Sequence, residues 1–69
     1  MNQLDISILV PIYNEEDSIT ELYNEVSNSI PNDLSYEIIF INDGSQDKSL
    51  DKIKKIIIED DKVKLINFF

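Results

Sequence analysis

Tyr13, Glu15 and Asp43 are the side chains of this sequence best placed to do chemistry. They lie in two short segments, Val10-Pro11-Ile12-Tyr13-Asn14-Glu15-Glu16 and Ile41-Asn42-Asp43-Gly44-Ser45, and in each an apolar run turns abruptly polar and acidic. A carboxylate accepts hydrogen bonds from a base N–H or a sugar hydroxyl, and a phenol ring stacks on a flat aromatic surface. Neither segment holds a Lys or Arg, and Gly44 is the one glycine of the chain. That excludes the G-x-G-x-x-G turn of dinucleotide folds and the G-x-x-x-x-G-K-[ST] phosphate loop. The Glu15-Glu16-Asp17 run repels the phosphate that a helix start otherwise attracts. If a nucleotide binds here, this corner holds its neutral parts, and its phosphates need a cation from elsewhere.

The elements that must position these residues are legible in the hydrophobic pattern. Ile6-Ser7-Ile8-Leu9-Val10-Pro11-Ile12 is β-branched and nearly continuously apolar, the pattern of a strand covered on both faces. Pro11 donates nothing to a sheet ladder and so marks the strand's end. Ile19, Leu22, Tyr23, Val26 and Ile30 follow i, i+3, i+4, i+7 spacing, which predicts an amphipathic helix of about 14 residues. Glu15, Glu16 and Asp17 are expected in its first turn, where the helix dipole favours them. Tyr36-Glu37-Ile38-Ile39-Phe40-Ile41 is a second strand, broken by Asp43-Gly44-Ser45. A second helix follows, capped by Ser45 or Asp47, with Leu50, Ile53, Ile56 and Ile57 inward. Val63-Lys64-Leu65-Ile66-Asn67-Phe68 is a third, more mixed strand nearer an edge, its end falling at Phe69. Asn14 and Asn42 are expected to organise the strand-to-helix turns through side-chain-to-backbone bonds, and Gly44 to supply a positive φ.

The fold class is therefore α/β, a β-α-β-α-β parallel sheet with the second strand between the first and third. Right-handed crossovers place both helices on one face. In open sheets of this kind ligands bind outside the carboxyl ends of the strands, so the two segments share one crevice. The other face of the first two strands is apolar and uncovered, and self-association of the chain is expected through it.

Composition narrows the classes further. The chain has 69 residues, 14 Asp and Glu against 6 Lys and no Arg, and a net charge of -8. That balance excludes nucleic acid, whose binding needs cations on the phosphates, and docking on anionic lipid. The absence of Cys and His removes thiol chemistry, zinc fingers and Ser-His triads. The longest apolar runs fall far short of the ~20 residues a membrane helix needs, and no basic residue opens the chain as a signal peptide requires. The segment is expected in the cytoplasm, without membrane contact of its own, and as the amino-terminal piece of a larger protein whose remainder can still carry membrane segments.

With both segments in place, the chain resembles the family 2 inverting nucleotide-sugar glycosyltransferases of GT-A fold, closest to the dolichyl- and polyprenyl-phosphate sugar transferases. The likeness rests on Ile8 through Glu16 and on Ile38 through Asp47, and continues weakly through Val63-Lys64-Leu65-Ile66. It implies that residues 1–69 are the nucleotide-binding, Rossmann-like opening of a catalytic domain. It implies that Pro11, Tyr13 and Glu15 line a base and ribose pocket, with Ile41 beside the base and Asp43 hydrogen-bonded to it. It implies a UDP- or GDP-sugar donor and an acceptor such as a polyprenyl phosphate or a glycan. A divalent metal, Mg or Mn, is implied for the full-length parent, on an Asp-x-Asp motif beyond Phe69; Asp60-Asp61 is no substitute, since it enters the third strand at the opposite end of the sheet. No residue here is assigned a catalytic role, and the chain alone is expected to transfer no sugar. Two other classes leave the same marks: a phosphoacceptor-type α/β domain with Asp at a strand end, and a non-catalytic interaction module using its apolar sheet face.

Overall fold

Strand β1 (Ile6–Ile12) leads into helix α1 (Ile19–Asn28), strand β2 (Tyr36–Asn42), helix α2 (Ser49–Glu59) and strand β3 (Val63–Asn67). These are the elements of a computed structural model that describes residues 4–68; Phe69, expected at the end of the third strand, lies outside the described residues. The sheet order is β1-β2-β3 with both pairings parallel. This is the α/β, Rossmann-like arrangement that the sequence predicts, with the middle strand the most apolar because it alone has two neighbours.

Register and alternation decide what is buried. Ile8, Ile38 and Val63 are aligned across the three strands, as are Val10, Phe40 and Leu65. Successive strand residues point to opposite faces, and these rows point toward the helices. Val10, Ile12, Ile38, Phe40 and Val63 form the core with Ile19 of α1 and Ile53 of α2. Leu22, Tyr23, Val26, Ile56 and Ile57 pack around it. The intervening rows, Leu9-Ile39-Lys64 and Pro11-Ile41-Ile66, face away from both helices. Leu9 is 59% exposed and Ile66 44%. The uncovered face expected from the sequence is therefore the Leu9 and Ile39/Ile41 side.

Two expectations shift. Helix α1 covers 10 residues, and it starts at Ile19, after Glu15, Glu16 and Asp17 rather than within them. Ile30 follows the helix as a half-buried residue. Neither Ser45 nor Asp47 stands at the N-cap of α2, which is Lys48 and makes no side-chain cap bond; Asp47, two residues before the helix, accepts from Ser49 N through Oδ1 at 2.9 Å.

At the opposite end of the sheet from the strands' carboxyl ends, Tyr23 Oη donates to Asp60 Oδ2 at 2.5 Å and ties α1 to the loop entering β3. Lys62 Nζ lies 5.3 Å from the Tyr36 ring centroid in the same region. The hydrogen bond to Asp60, followed by burial and the Asp60 charge, pushes the Tyr23 phenol up from 10.0 to about 12. A pKa raised on folding stabilises the fold below the unfolded value and stops doing so as pH rises through the folded one. Tyr23→Phe is therefore expected to remove one component of alkaline destabilisation between pH 10.0 and about 12. Urea titrations of both proteins at neutral pH and inside that window test this; parallel losses in the two would show that Tyr23 carries none of it.

Candidate functional site

The site is built where β1 and β2 end side by side. Pro11 pairs with Ile41 and Ile12 with Asn42, and the next rung is closed by Asp43 N donating to Ile12 O at 3.0 Å. Pro11 and Ile41 thus lie next to each other on the face away from the helices, and Asp43 lies across from the Ile12-Tyr13 junction. Beyond these rungs both chains leave the sheet through left-handed residues, Asn14 at φ 51 and Gly44 at φ 74. Gly44 takes that conformation without steric cost. Asn14 is one of the few non-glycine residues that tolerate it.

The polar residues of the two loops divide into two groups. One group is tied. Asn42, 1% exposed, accepts from Ser45 N at 3.2 Å and donates Nδ2 to Asn67 Oδ1 at 3.0 Å. Asn14 Oδ1 accepts from Gln46 N at 2.7 Å. Ser45 Oγ accepts from Asn14 N at 3.0 Å, Ser49 Oγ from Glu15 N at 2.8 Å, and Asp47 Oδ2 from Glu16 N at 3.1 Å. Lys52 Nζ donates to Glu16 O at 2.6 Å. Burial disfavours the Asp47 carboxylate, but the hydrogen bonds it receives from Ser49 and Glu16 outweigh that and hold its pKa below the usual carboxylate value. Its contribution to stability is thus present above the ordinary Asp range and is lost as pH falls through the lowered value.

The second group is free. Tyr13 is 57% exposed, Glu15 and Asp43 are exposed, and none of their side-chain oxygens is hydrogen-bonded within the described residues. Glu15 is set apart from Tyr13, Ile41 and Asp43. With Pro11, Ile12, Ser18, Glu21, Leu22 and Glu25 it lines a groove of about 280 Å³ along the outer side of β1 and α1. Three glutamates in one groove favour a hydroxyl or amine donor over an anion.

Three successive backbone N–H groups beside a left-handed residue ordinarily make a concavity for an anion such as phosphate. Here the N–H groups of Asn14, Glu15 and Glu16 are all taken by side chains of the second loop. The phosphate position of a nucleotide fold is filled from within, which agrees with the acidic sequence around it. Among the described residues, no three acidic side chains gather closely enough to hold a metal ion. Asp60 and Asp61 precede β3, away from this end. Among the described residues, no helix is long and apolar enough to cross a membrane.

Sequence reasoning missed Ser49, which has no exposed surface and anchors Glu15 N. Its only sequence signal is the two-residue spacing from Asp47.

The sequence model of the family described as Glycosyl transferase family 2 matches residues 7–68. The chain is 38% identical over 66 residues to the uncharacterized glycosyltransferase YkcC of Bacillus subtilis (strain 168), covering 94% of this chain and 20% of that protein. It is 30% identical over 53 residues to the dolichol-phosphate mannosyltransferase of Pyrococcus furiosus, covering 77% of this chain and 15% of that protein. It is 36% identical over 56 residues to an undecaprenyl-phosphate 4-deoxy-4-formamido-L-arabinose transferase of Pseudomonas fluorescens, covering 80% and 16%. The chain thus spans a fifth or less of the length of these curated relatives.

Proposed function

The chain belongs to glycosyl transferase family 2, and from that premise we propose that its two loops form the base- and ribose-binding half of a donor site for a UDP- or GDP-sugar. Pro11 and Ile41 flank the base, Tyr13 stacks on it, Asp43 accepts a base N–H, and Glu15 accepts a ribose hydroxyl. The observation that carries this reading is the division between tied and free side chains. Every polar group needed to hold the loops is hydrogen-bonded, while Tyr13, Glu15 and Asp43 are held ready and uncommitted at the strands' carboxyl ends.

A protein built on this segment would be a glycosyltransferase that moves the sugar to a polyprenyl phosphate or a glycan; the dolichol- and undecaprenyl-phosphate names of two relatives favour the former. A divalent metal, Mg or Mn, held by residues outside this chain would supply the positive charge that the diphosphate needs, and the reaction would take place in the cytoplasm or at the cytoplasmic face of a membrane. The chain by itself transfers no sugar.

Nuclear magnetic resonance titration of the chain with uridine and guanosine tests the donor site. Shifts are expected at Tyr13 and Asp43 with a dissociation constant of millimolar order, about -4 kcal/mol. The corresponding diphosphates are expected to bind no more tightly, since the N–H groups that would receive a phosphate are taken. Shifts at Asp43 on adding beryllofluoride, without any response to nucleosides, would instead identify a phosphoacceptor.

The chain is also expected to associate with a second copy through the Leu9, Ile39, Ile41 and Ile66 face. Soluble monomers rarely leave an apolar patch of more than a few hundred Å² in water. Each chain carries a net charge of -8, so repulsion opposes the contact and added salt strengthens it. Sedimentation equilibrium is expected to show a mass that rises with concentration and with salt, and Leu9→Glu to restore the monomer. A monomer at all concentrations, in high salt, rules out this face as a contact.

A further inference from the structure

We propose that Ser45, Asp47 and Ser49 are positioning residues that act through the backbone of the first loop to set Tyr13 and Glu15 for the nucleoside, an inference that rests on the donor-site reading above. The geometry is specific. Three consecutive N–H groups, of Asn14, Glu15 and Glu16, each meet one acceptor from the second loop, at 3.0, 2.8 and 3.1 Å. The contact is reciprocal, because Asn14 Oδ1 takes Gln46 N at 2.7 Å.

Asn14 stands between Tyr13 and Glu15, and its φ of 51 turns the chain so that these neighbours leave on different sides. One takes the end of β1 beside Asp43, the other the groove with Pro11 and Glu21. A left-handed conformation is costly for a residue with a Cβ, and it persists only where the surroundings fix it. Here the fixing bonds are on its own N–H and its own side chain. The second loop therefore has a double use. Asp43 faces outward to the ligand, and the next polar residues face inward to the first loop.

Asp47 is the most demanding member. Both of its oxygens accept from backbone N–H groups, Oδ1 from Ser49 and Oδ2 from Glu16. An amide offers one acceptor oxygen, so Asp47→Asn leaves one of those N–H groups facing an NH₂. Ser45 is the cleanest probe, since it is only partly buried and threonine keeps its hydroxyl.

The test uses uridine and guanosine as probes on the wild-type chain, Ser45→Ala, Ser45→Thr and Asp47→Asn. It reads nucleoside affinity, melting temperature and amide exchange at residues 14–16. Ser45→Ala and Asp47→Asn are expected to weaken the nucleoside by up to about tenfold, the equivalent of one lost hydrogen bond. Exchange should quicken at Asn14 in the first variant and at Glu16 in the second. Ser45→Thr should restore both readings. Folded variants with wild-type affinity would overturn the positioning role and leave the donor site standing, even if their melting temperatures fell. A wild-type chain that binds neither nucleoside overturns the donor-site reading, and the positioning role falls with it. If Asp47→Asn does not fold, the Ser45→Ala and Ser45→Thr pair decides alone.

Discussion

Phe40→Ala is expected to leave this chain largely unfolded at room temperature. Phe40 has no exposed surface and sits in the central strand, aligned with Val10 on one side and Leu65 on the other. Truncating a buried phenylalanine costs roughly 3–5 kcal/mol, through lost transfer energy and the cavity left behind. At about 0.05–0.15 kcal/mol per residue, a chain of 69 residues has on the order of 3–10 kcal/mol in total. The substitution removes between about a third and all of that. Phe40→Leu keeps most of the volume and is expected to cost less than about 1.5 kcal/mol. Circular dichroism melts of the two variants separate the cases: a cooperative Phe40→Ala transition close to the wild type would mean that the core is not centred on this ring.

The second large effect is on binding. Asp43→Asn is expected to weaken nucleoside recognition by about 10- to 100-fold, since a hydrogen bond to a charged acceptor contributes roughly 1.5–3 kcal/mol and each 1.4 kcal/mol is about tenfold. From a millimolar start, that takes binding out of reach of a titration. The fold should not change, because the structural bond of Asp43 is made by its backbone N–H to Ile12 O, which the substitution keeps. In a glycosyltransferase of its relatives' length built on this segment, the same change should raise KM for the donor and lower kcat/KM. Unaltered donor kinetics with Asn at this position would remove Asp43 from the site.

The strands and their order were legible in the sequence because each depends on short-range information. A β-branched apolar run specifies a strand, and a proline or an Asp-Gly pair stops it. Two helical crossovers of one hand then place the strands. The start of α1 was not legible in this way. Glu15, Glu16 and Asp17 have the composition of a first helical turn, but the N–H groups at 14–16 are committed to side chains 31 to 34 residues away. The first helical bonds form only at Ser18 N and Ile19 N, to Glu15 O. The burial of Ser49 was hidden for the same reason, since a serine beside an acidic residue is ordinary surface composition until its partner across the loops is known. The residues left exposed at the strand ends were easier to read from the sequence than the residues that tie the two loops together.

The long span of those ties also sets an order of events. Bonds that join positions so far apart in the chain cannot form before β1 and β2 have paired, because the chain must first close the intervening loop. Parallel pairing is itself slow for this reason. The binding corner is therefore the last part of the molecule to assemble. Two of its three ties rest on the partly exposed Ser45 and Asp47, not on the Phe40 core, so it is also the first part to open. Mild denaturant should release the amides of residues 14–16 to exchange while those of β2 stay protected, and a bound nucleoside should be felt first as a delay in that early opening.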